Sequence, residues 1–256
     1  MSENLLLANI PKDERHRLDP FLTPVELELD EVIIEPDEPI KYLYFLYDAV
    51  SSTIQDMEDG SSIEIGLMGV EGLVGIQLWL GVESTTTRTV IQIPGRALRM
   101  TATDFKREVI DKPSPLNQLI AKYVHAFLVM TSTAAACNRL HTLDQRLCRW
   151  LKLIHNRVRR DEFPMRHEYL AQMLGVHRPT VSINAKILQT AGLISYVRGN
   201  IKVLDSEGLK EGSCECLELM ESQFDRIFNH PWRDLVKRED TVKREDKEGW
   251  NTKFDY

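Results

Sequence analysis

The sequence predicts an α+β chain in which a strand-rich N-terminal domain is followed by one long helix and a small helical domain closed by a hairpin. Three observations carry this prediction. Short runs of alternating apolar residues fill Val25 to Met100, a stretch with helical periodicity and no internal Pro or Gly follows Pro115, and two short helices flank Gly175. With 256 residues and 43% hydrophobic content, the chain can bury two cores of ordinary size.

The first domain, residues 1–113, opens with a short helical piece. Its strands read as VELELDEVIIE, IKYLYFLYDAVSSTI, SSIEIGLMG, LVGIQLWL, TTTRTVIQI and RALRM. They are separated by Pro36-Asp37, Asp59-Gly60, Glu71-Gly72, Gly81 and Pro94-Gly95. Alternation such as Leu27, Leu29 and Ile63, Ile65 fits half-buried strands of an all-β sandwich or roll.

Residues 114–137 form the long helix. Ile120, Tyr123, Phe127, Met130, Ala134 and Cys137 step alternately by three and four, the seam of a coiled coil, and so predict a dimer interface. A helix packed on its own domain is the competing reading. The helical pattern continues from His141 to Val158, with Leu143, Leu147, Trp150, Leu151 and Ile154 on one face.

The third domain, residues 138–208, contains the most informative stretch. His167 to Leu174 reads as a short helix, Gly175 as a left-handed turn, and Arg178 to Ala191 as a second helix with Pro179 in its first turn. Val181, Ala185 and Leu188 line the inner face of the second helix, which leaves the opposite face for the major groove of DNA. Beyond it, Gly199-Asn200 separates two short alternating runs, a β-hairpin wing with Arg198 and Lys202 placed to meet phosphate.

Charge points the same way. The whole chain carries −7, yet Asn138 to Val203 holds twelve Lys and Arg against four acids, or +8, leaving −15 elsewhere. The basic part is the candidate for a polyanion. No uninterrupted apolar run approaches the roughly 18 to 20 residues of a bilayer span, so the expectation is a soluble, cytoplasmic protein with no membrane partner. The four cysteines, Cys137, Cys148, Cys214 and Cys216, read as reduced thiols. Cys214-x-Cys216 is not a CxxC pair and no Cys or His pair follows it, so no metal site and no cofactor are expected.

In three segments, EPDEPIKYLYFLYDAV, GLMGVEGLVGI and LAQMLGVHRPTVSINAKILQTAGLISYVRGNIKVLD, the chain resembles the bacterial CRP/FNR family, whose type member is the cyclic-AMP receptor protein; the resemblance covers roughly Leu5 to Asp205. It implies a cyclic-nucleotide-binding-like β-roll, a long dimerisation helix and a C-terminal winged helix-turn-helix. It also implies a transcription regulator that binds a pseudo-palindromic operator as a homodimer, with double-stranded DNA and RNA polymerase as partners. By position, Arg178 matches the arginine that reads a guanine and Thr180 a phosphate contact. Pro179 and Ile183 stand where many members carry Glu and Arg, so they can touch only a thymine methyl, and the operator should differ. His177, Ser182, Asn184 and Lys186 are secondary candidates.

The sensor residues depart from the family pattern. Ile76 falls where a glutamate would bind ribose and Thr85-Thr86 where an Arg-containing pair would hold a cyclic phosphate, so cyclic AMP is not the expected effector. The effector is left unknown, and control by abundance or a partner protein is the alternative. The first 136 residues have no cysteine, against an N-terminal iron–sulfur cluster, and Arg17 to Val124 has no histidine, against haem in that domain and against a cupin-like metal enzyme. No enzyme is expected. Residues 209–256 read as a helix over Leu209 to Phe228, with Leu217, Met220, Phe224 and Ile227 inward, and a charged tail repeating VKRED.

Overall fold

The structure is a computed structural model and describes residues 4–158 and 160–236; the tail from 237 onward, with its VKRED repeats, lies outside the described residues. In chain order, α1 (Leu5–Ala8) and α2 (Lys12–Leu18) precede β1 (Thr23–Leu27), β2 (Val32–Ile34), β3 (Tyr42–Leu46), β4 (Val50–Asp56), β5 (Ser62–Met68) and β6 (Leu73–Val74). Then come α3 (Ile76–Trp79), β7 (Arg88–Ile93), β8 (Gly95–Thr101), α4 (Ala102–Phe105) and the long α5 (Pro115–Leu140). The chain continues through α6 (Leu143–Arg157), β9 (Glu162–Pro164), α7 (His167–Leu174), α8 (Arg178–Thr190), β10 (Ile194–Val197) and β11 (Asn200–Val203). It closes with α9 (Ser206–Glu211), α10 (Cys216–Phe228) and α11 (Trp232–Leu235).

Two antiparallel sheets, ordered β1-β8-β3-β6 and β2-β7-β4-β5, form the β-roll. The period of two along each strand divides its apolar residues between two cores. Leu27, Tyr44, Leu46, Val74 and Ala97 from one sheet meet Ile34, Met68 and Ile91 from the other and fill the space between them. The alternate residues Leu43, Phe45, Leu98 and Met100 join a second cluster with Leu5, Leu18 and Ile120 of the helices. One expected strand is corrected: LVGIQLWL stops pairing after Val74, because Gly75 turns the chain at φ 95° and Ile76 starts α3.

The α5 seam is the larger correction. Ile120, Tyr123, Met130 and Cys137 are 0–4% exposed within a single chain, and Phe127 and Ala134 are half-buried against the same core. The predicted dimer stripe therefore packs largely within the chain, its N-terminal part against the β-roll and Cys137 against Cys214 and Cys216. Two glycines make room for it: a Cβ on Gly72 would stand 2.4 Å from the Tyr123 ring, and one on Gly66 would stand 2.5 Å from the Phe127 ring. The Tyr123 hydroxyl donates to the Leu73 carbonyl at 3.3 Å. What α5 leaves exposed is a second stripe, Ala121, His125, Leu128, Ser132, Ala135 and Arg139, again stepping by three and four.

Two further expectations change. The 26 residues of α5 are long and apolar enough, at a mean hydropathy of 1.3 over eighteen residues, to cross a membrane by length and composition. Unbroken apolar runs do not reveal this, because Lys122, His125 and the polar residues of α5 interrupt them. In this fold one stripe of α5 packs on the roll and the opposite stripe stays exposed. The expected helix over Leu209 to Phe228 is split into α9 and α10 by Gly212 to Glu215, and α10 lies chiefly along α5 rather than on the winged helix. Leu217, Met220, Phe224 and Ile227 are buried as expected.

At the junction of these parts sits Arg157, the last residue of α6. It is 0% exposed, its Nε donates to Glu71 Oε1 at 2.8 Å, and its Nη1 donates to the Leu153 carbonyl at 2.9 Å. Its guanidinium also lies 5.4 Å from the Trp232 ring centroid and 5.8 Å from that of Phe224.

Candidate nucleic-acid interface

Local sequence builds the reading unit. Gly175 closes α7 at φ 62°, and Val176 N–H returns to the Ala171 carbonyl at 3.0 Å. The chain then re-enters a helix at Arg178, with Pro179 in the first turn where no backbone donor is required. Val181, Ala185 and Leu188 are 0–4% exposed and fix α8 to the domain. His177, Arg178, Pro179, Thr180, Ile183 and Lys186 are exposed. Ile187 and Thr190 extend the same face; one helical turn beyond Ile183 and Lys186, that spacing could have marked them in the sequence.

Two of the sequence candidates are withdrawn from that face. Asn184 is 9% exposed, and its Nδ2 donates to the Thr180 carbonyl at 2.8 Å. The Ser182 hydroxyl sits 2.8 Å from His167 Nδ1, and the His167 ring stacks on Tyr196 at 4.2 Å between centroids. Ser182, His167 and Tyr196 thus tie α8, α7 and the wing together. Burial and the neighbouring Arg178 charge both lower the pKa of His167.

Arg178 Nε pairs with Glu168 Oε1 at 2.9 Å, both side chains more than half exposed. A pair so wet contributes about 0–1 kcal/mol and does not hinder exchange of Glu168 for a base or phosphate. The wing turn is shifted by one residue from the sequence reading: Val197 pairs with Asn200, and Arg198-Gly199 occupy the two-residue loop at φ 50° and 82°. Arg198 and Lys202 are both exposed.

The charge count also needs correction. Arg146, Arg149, Lys152 and Arg157 are 0–8% exposed and serve the interior: Arg146 donates to the Leu174 carbonyl and Lys152 to Ser206 Oγ. Summing the segment could not separate these from the surface, where Arg166, Arg178, Lys186, Arg198 and Lys202 remain.

The reading unit rests on the roll. Gln172 of α7 donates to Ser62 Oγ at 2.6 Å, and Glu64 of β5 accepts from Trp150 Nε1 at 3.0 Å and from the Ser52 hydroxyl. Burial raises the Glu64 carboxyl to about 7, against the lowering effect of those two hydrogen bonds. In the sensor, Ile76 is 9% exposed, and the hydroxyls of Thr85 and Thr87 face each other at 3.1 Å. No cationic side chain stands at Thr85-Thr86 itself.

A second cluster lies at the far end of α5. Cys137, His141, Cys214 and Cys216 bring one ligand atom each within 4.8 Å of one another. Zinc-ligand spacing directs attention to residues after Cys216, whereas the partner pair lies upstream, in the last turn and cap of α5. Burial pushes the Cys216 thiol up to about 12 and also raises Cys214.

The combination of a β-roll, a long connecting helix and a winged helix-turn-helix defines the class of one-chain transcription regulators with a sensor-like domain. Residues 145–211 match the Crp-like helix-turn-helix domain. Among solved structures, FixK2 from Bradyrhizobium japonicum superposes with a TM-score of 0.64 at 15% identity, covering 75% of this chain and 98% of that one. Two CRP-family transcriptional regulators of Thermus thermophilus also match: TTHB099 at 0.59 and 17% identity, covering 74% and 96%, and TTHA1359 at 0.58 and 19%, covering 75% and 98%. No curated protein matches at the sequence level. The chain has the CRP/FNR regulator fold and carries the Crp-like reading domain.

Proposed function

We propose that this chain is a sequence-specific DNA-binding transcription regulator of the CRP/FNR type, acting in the cytoplasm as a homodimer. The observation that carries the reading is the outward face of α8, where His177, Arg178, Pro179, Thr180, Ile183 and Lys186 stand clear of the domain core beside the wing residues Arg198 and Lys202. Arg178 reads a base, Ile183 and Pro179 supply apolar contact, and Thr180, Lys186, Arg198 and Lys202 hold phosphate. The two copies meet through the outer stripe of α5, with the exposed Leu128 near its centre and the small Ala121, Ser132 and Ala135 along it to permit close approach. Two reading helices then enter successive major grooves about 10 base pairs apart, and RNA polymerase is the downstream partner.

The effector is not cyclic AMP, since Ile76 and Thr85-Thr86 supply neither the carboxylate nor the guanidinium that a cyclic phosphate requires. The apolar filling between the two sheets supports a second reading within the same class, in which abundance or a protein partner sets activity without a small molecule. The test is to select genomic fragments with purified protein and titrate the enriched duplex and a scrambled one at graded salt. Preferential binding of the enriched duplex, weakening as salt rises, supports the reading. No binding to either duplex in dilute salt refutes it.

A further inference from the structure

We propose that Cys137, His141, Cys214 and Cys216 hold one zinc ion that pins the C-terminal helices to the end of the long helix. The four side chains come from two places: Cys137 and His141 from the last turn and cap of α5, and Cys214 and Cys216 from the turn into α10. Cys137 Sγ lies 3.5 Å from Cys214 Sγ, and Cys216 Sγ lies 3.6 Å from His141 Nδ1. A tetrahedral zinc with Zn–S of about 2.3 Å and Zn–N of about 2.0 Å sets its sulfurs about 3.8 Å apart and sulfur to nitrogen about 3.5 Å apart. Two of the six edges of such a tetrahedron are already close to these lengths, and none of the others exceeds 4.8 Å.

The surroundings fit a structural ion. The three cysteines are 0–5% exposed and form a small cluster of their own, so water has little access to a fifth position. His141 presents Nδ1 to the thiols and its Nε2 to Glu215 Oε1 at 3.2 Å. A carboxylate on the distal nitrogen fixes the tautomer that ligates metal. Binding releases three thiol protons, leaving three thiolates, one neutral imidazole and a dication with a net charge of −1. Arg146, whose charge couples to Cys137 and Cys214, offsets that charge. Three thiolates with an imidazole select zinc among divalent ions, and a ligand spread of 4.8 Å suits one ion rather than several irons.

The consequence for the fold is a clasp. Cys214 and Cys216 stand where α9 gives way to α10, and α10 runs along α5. Metal at this point joins the far end of the helix that leaves the β-roll to the segment that follows the winged domain.

The experiment uses anaerobically purified full-length protein. Elemental analysis should give one zinc per chain, and cobalt titrated into metal-stripped protein should develop the thiolate charge-transfer and ligand-field bands of a tetrahedral sulfur-rich site. Cys214→Ser with Cys216→Ser should abolish both, and Glu215→Gln should weaken zinc retention against a chelator by about tenfold. The cobalt titration of the unaltered chain decides the question even if the double variant folds poorly. Metal well below half an equivalent with no cobalt bands overturns the proposal. So does full metal retention by the double variant, stoichiometric iron with labile sulfide, or a Cys137–Cys214 disulfide in the fresh protein.

Discussion

Glu64→Gln should make the protein more stable at pH 8 while leaving it nearly unchanged at pH 5. The carboxyl of Glu64 is held between Trp150 Nε1 and the Ser52 hydroxyl, and burial raises it to about 7 from the usual 4.5. The folded chain therefore keeps a proton that the unfolded chain has already released. The stability owed to that proton is fully present below about pH 4.5 and is lost as pH rises to about 7. At about 1.4 kcal/mol for each pKa unit the ceiling is about 3.5 kcal/mol, and partial exposure of Glu64 reduces it to about 1–2 kcal/mol. In Gln the amide oxygen accepts from Trp150 Nε1 and the amide NH2 donates to the Ser52 oxygen, so both contacts persist, the second reversed, without the charge. Urea unfolding of both proteins from pH 4.5 to 8 measures the difference, which should open across that window. A difference that does not change with pH refutes the reasoning.

Arg178→Ala should cost about 1–3 kcal/mol on the selected duplex and relax preference at one base pair; an equal loss on random duplex would return Arg178 to a phosphate clamp. Arg198→Gly should relieve a left-handed arginine in the wing, raising stability by about 1 kcal/mol while lowering the salt slope of DNA binding by about 1, read by thermal unfolding and a salt titration. Asn184→Ala should lower stability by about 1 kcal/mol with base preference unchanged, since its amide serves the Thr180 carbonyl. Leu128→Glu should yield monomers in sedimentation while the melting of the β-roll holds; dimers that persist would move the interface off the outer stripe of α5.

The reading unit was legible because it is local. Gly175 in its left-handed turn, Pro179 in the first turn of α8 and the inward Val181, Ala185 and Leu188 are all set within about twenty residues of chain. The internal bonds of Asn184 and Ser182 are not legible in the sequence, because propensity does not say that a small polar side chain turns back to its own backbone or to His167. Which face of α5 stays open is not legible for a different reason. Residues 120–137 and 121–139 of α5 both step by three and four, and only the gaps at Gly66 and Gly72, some fifty residues upstream, decide which stripe the roll takes. Cys137 and Cys214 are likewise neighbours only through packing.

The Arg157 and Glu71 pair limits how such a regulator can move. Opening it would strand a charge inside the protein, at a cost of about 3–5 kcal/mol, comparable to much of the stability of a whole domain. Any rearrangement that moves α8 relative to the β-roll should pivot around this point and keep it intact. Any hinge then has to be sought away from Glu71 and from the C-terminal end of α6, where the chain can turn without uncovering the guanidinium.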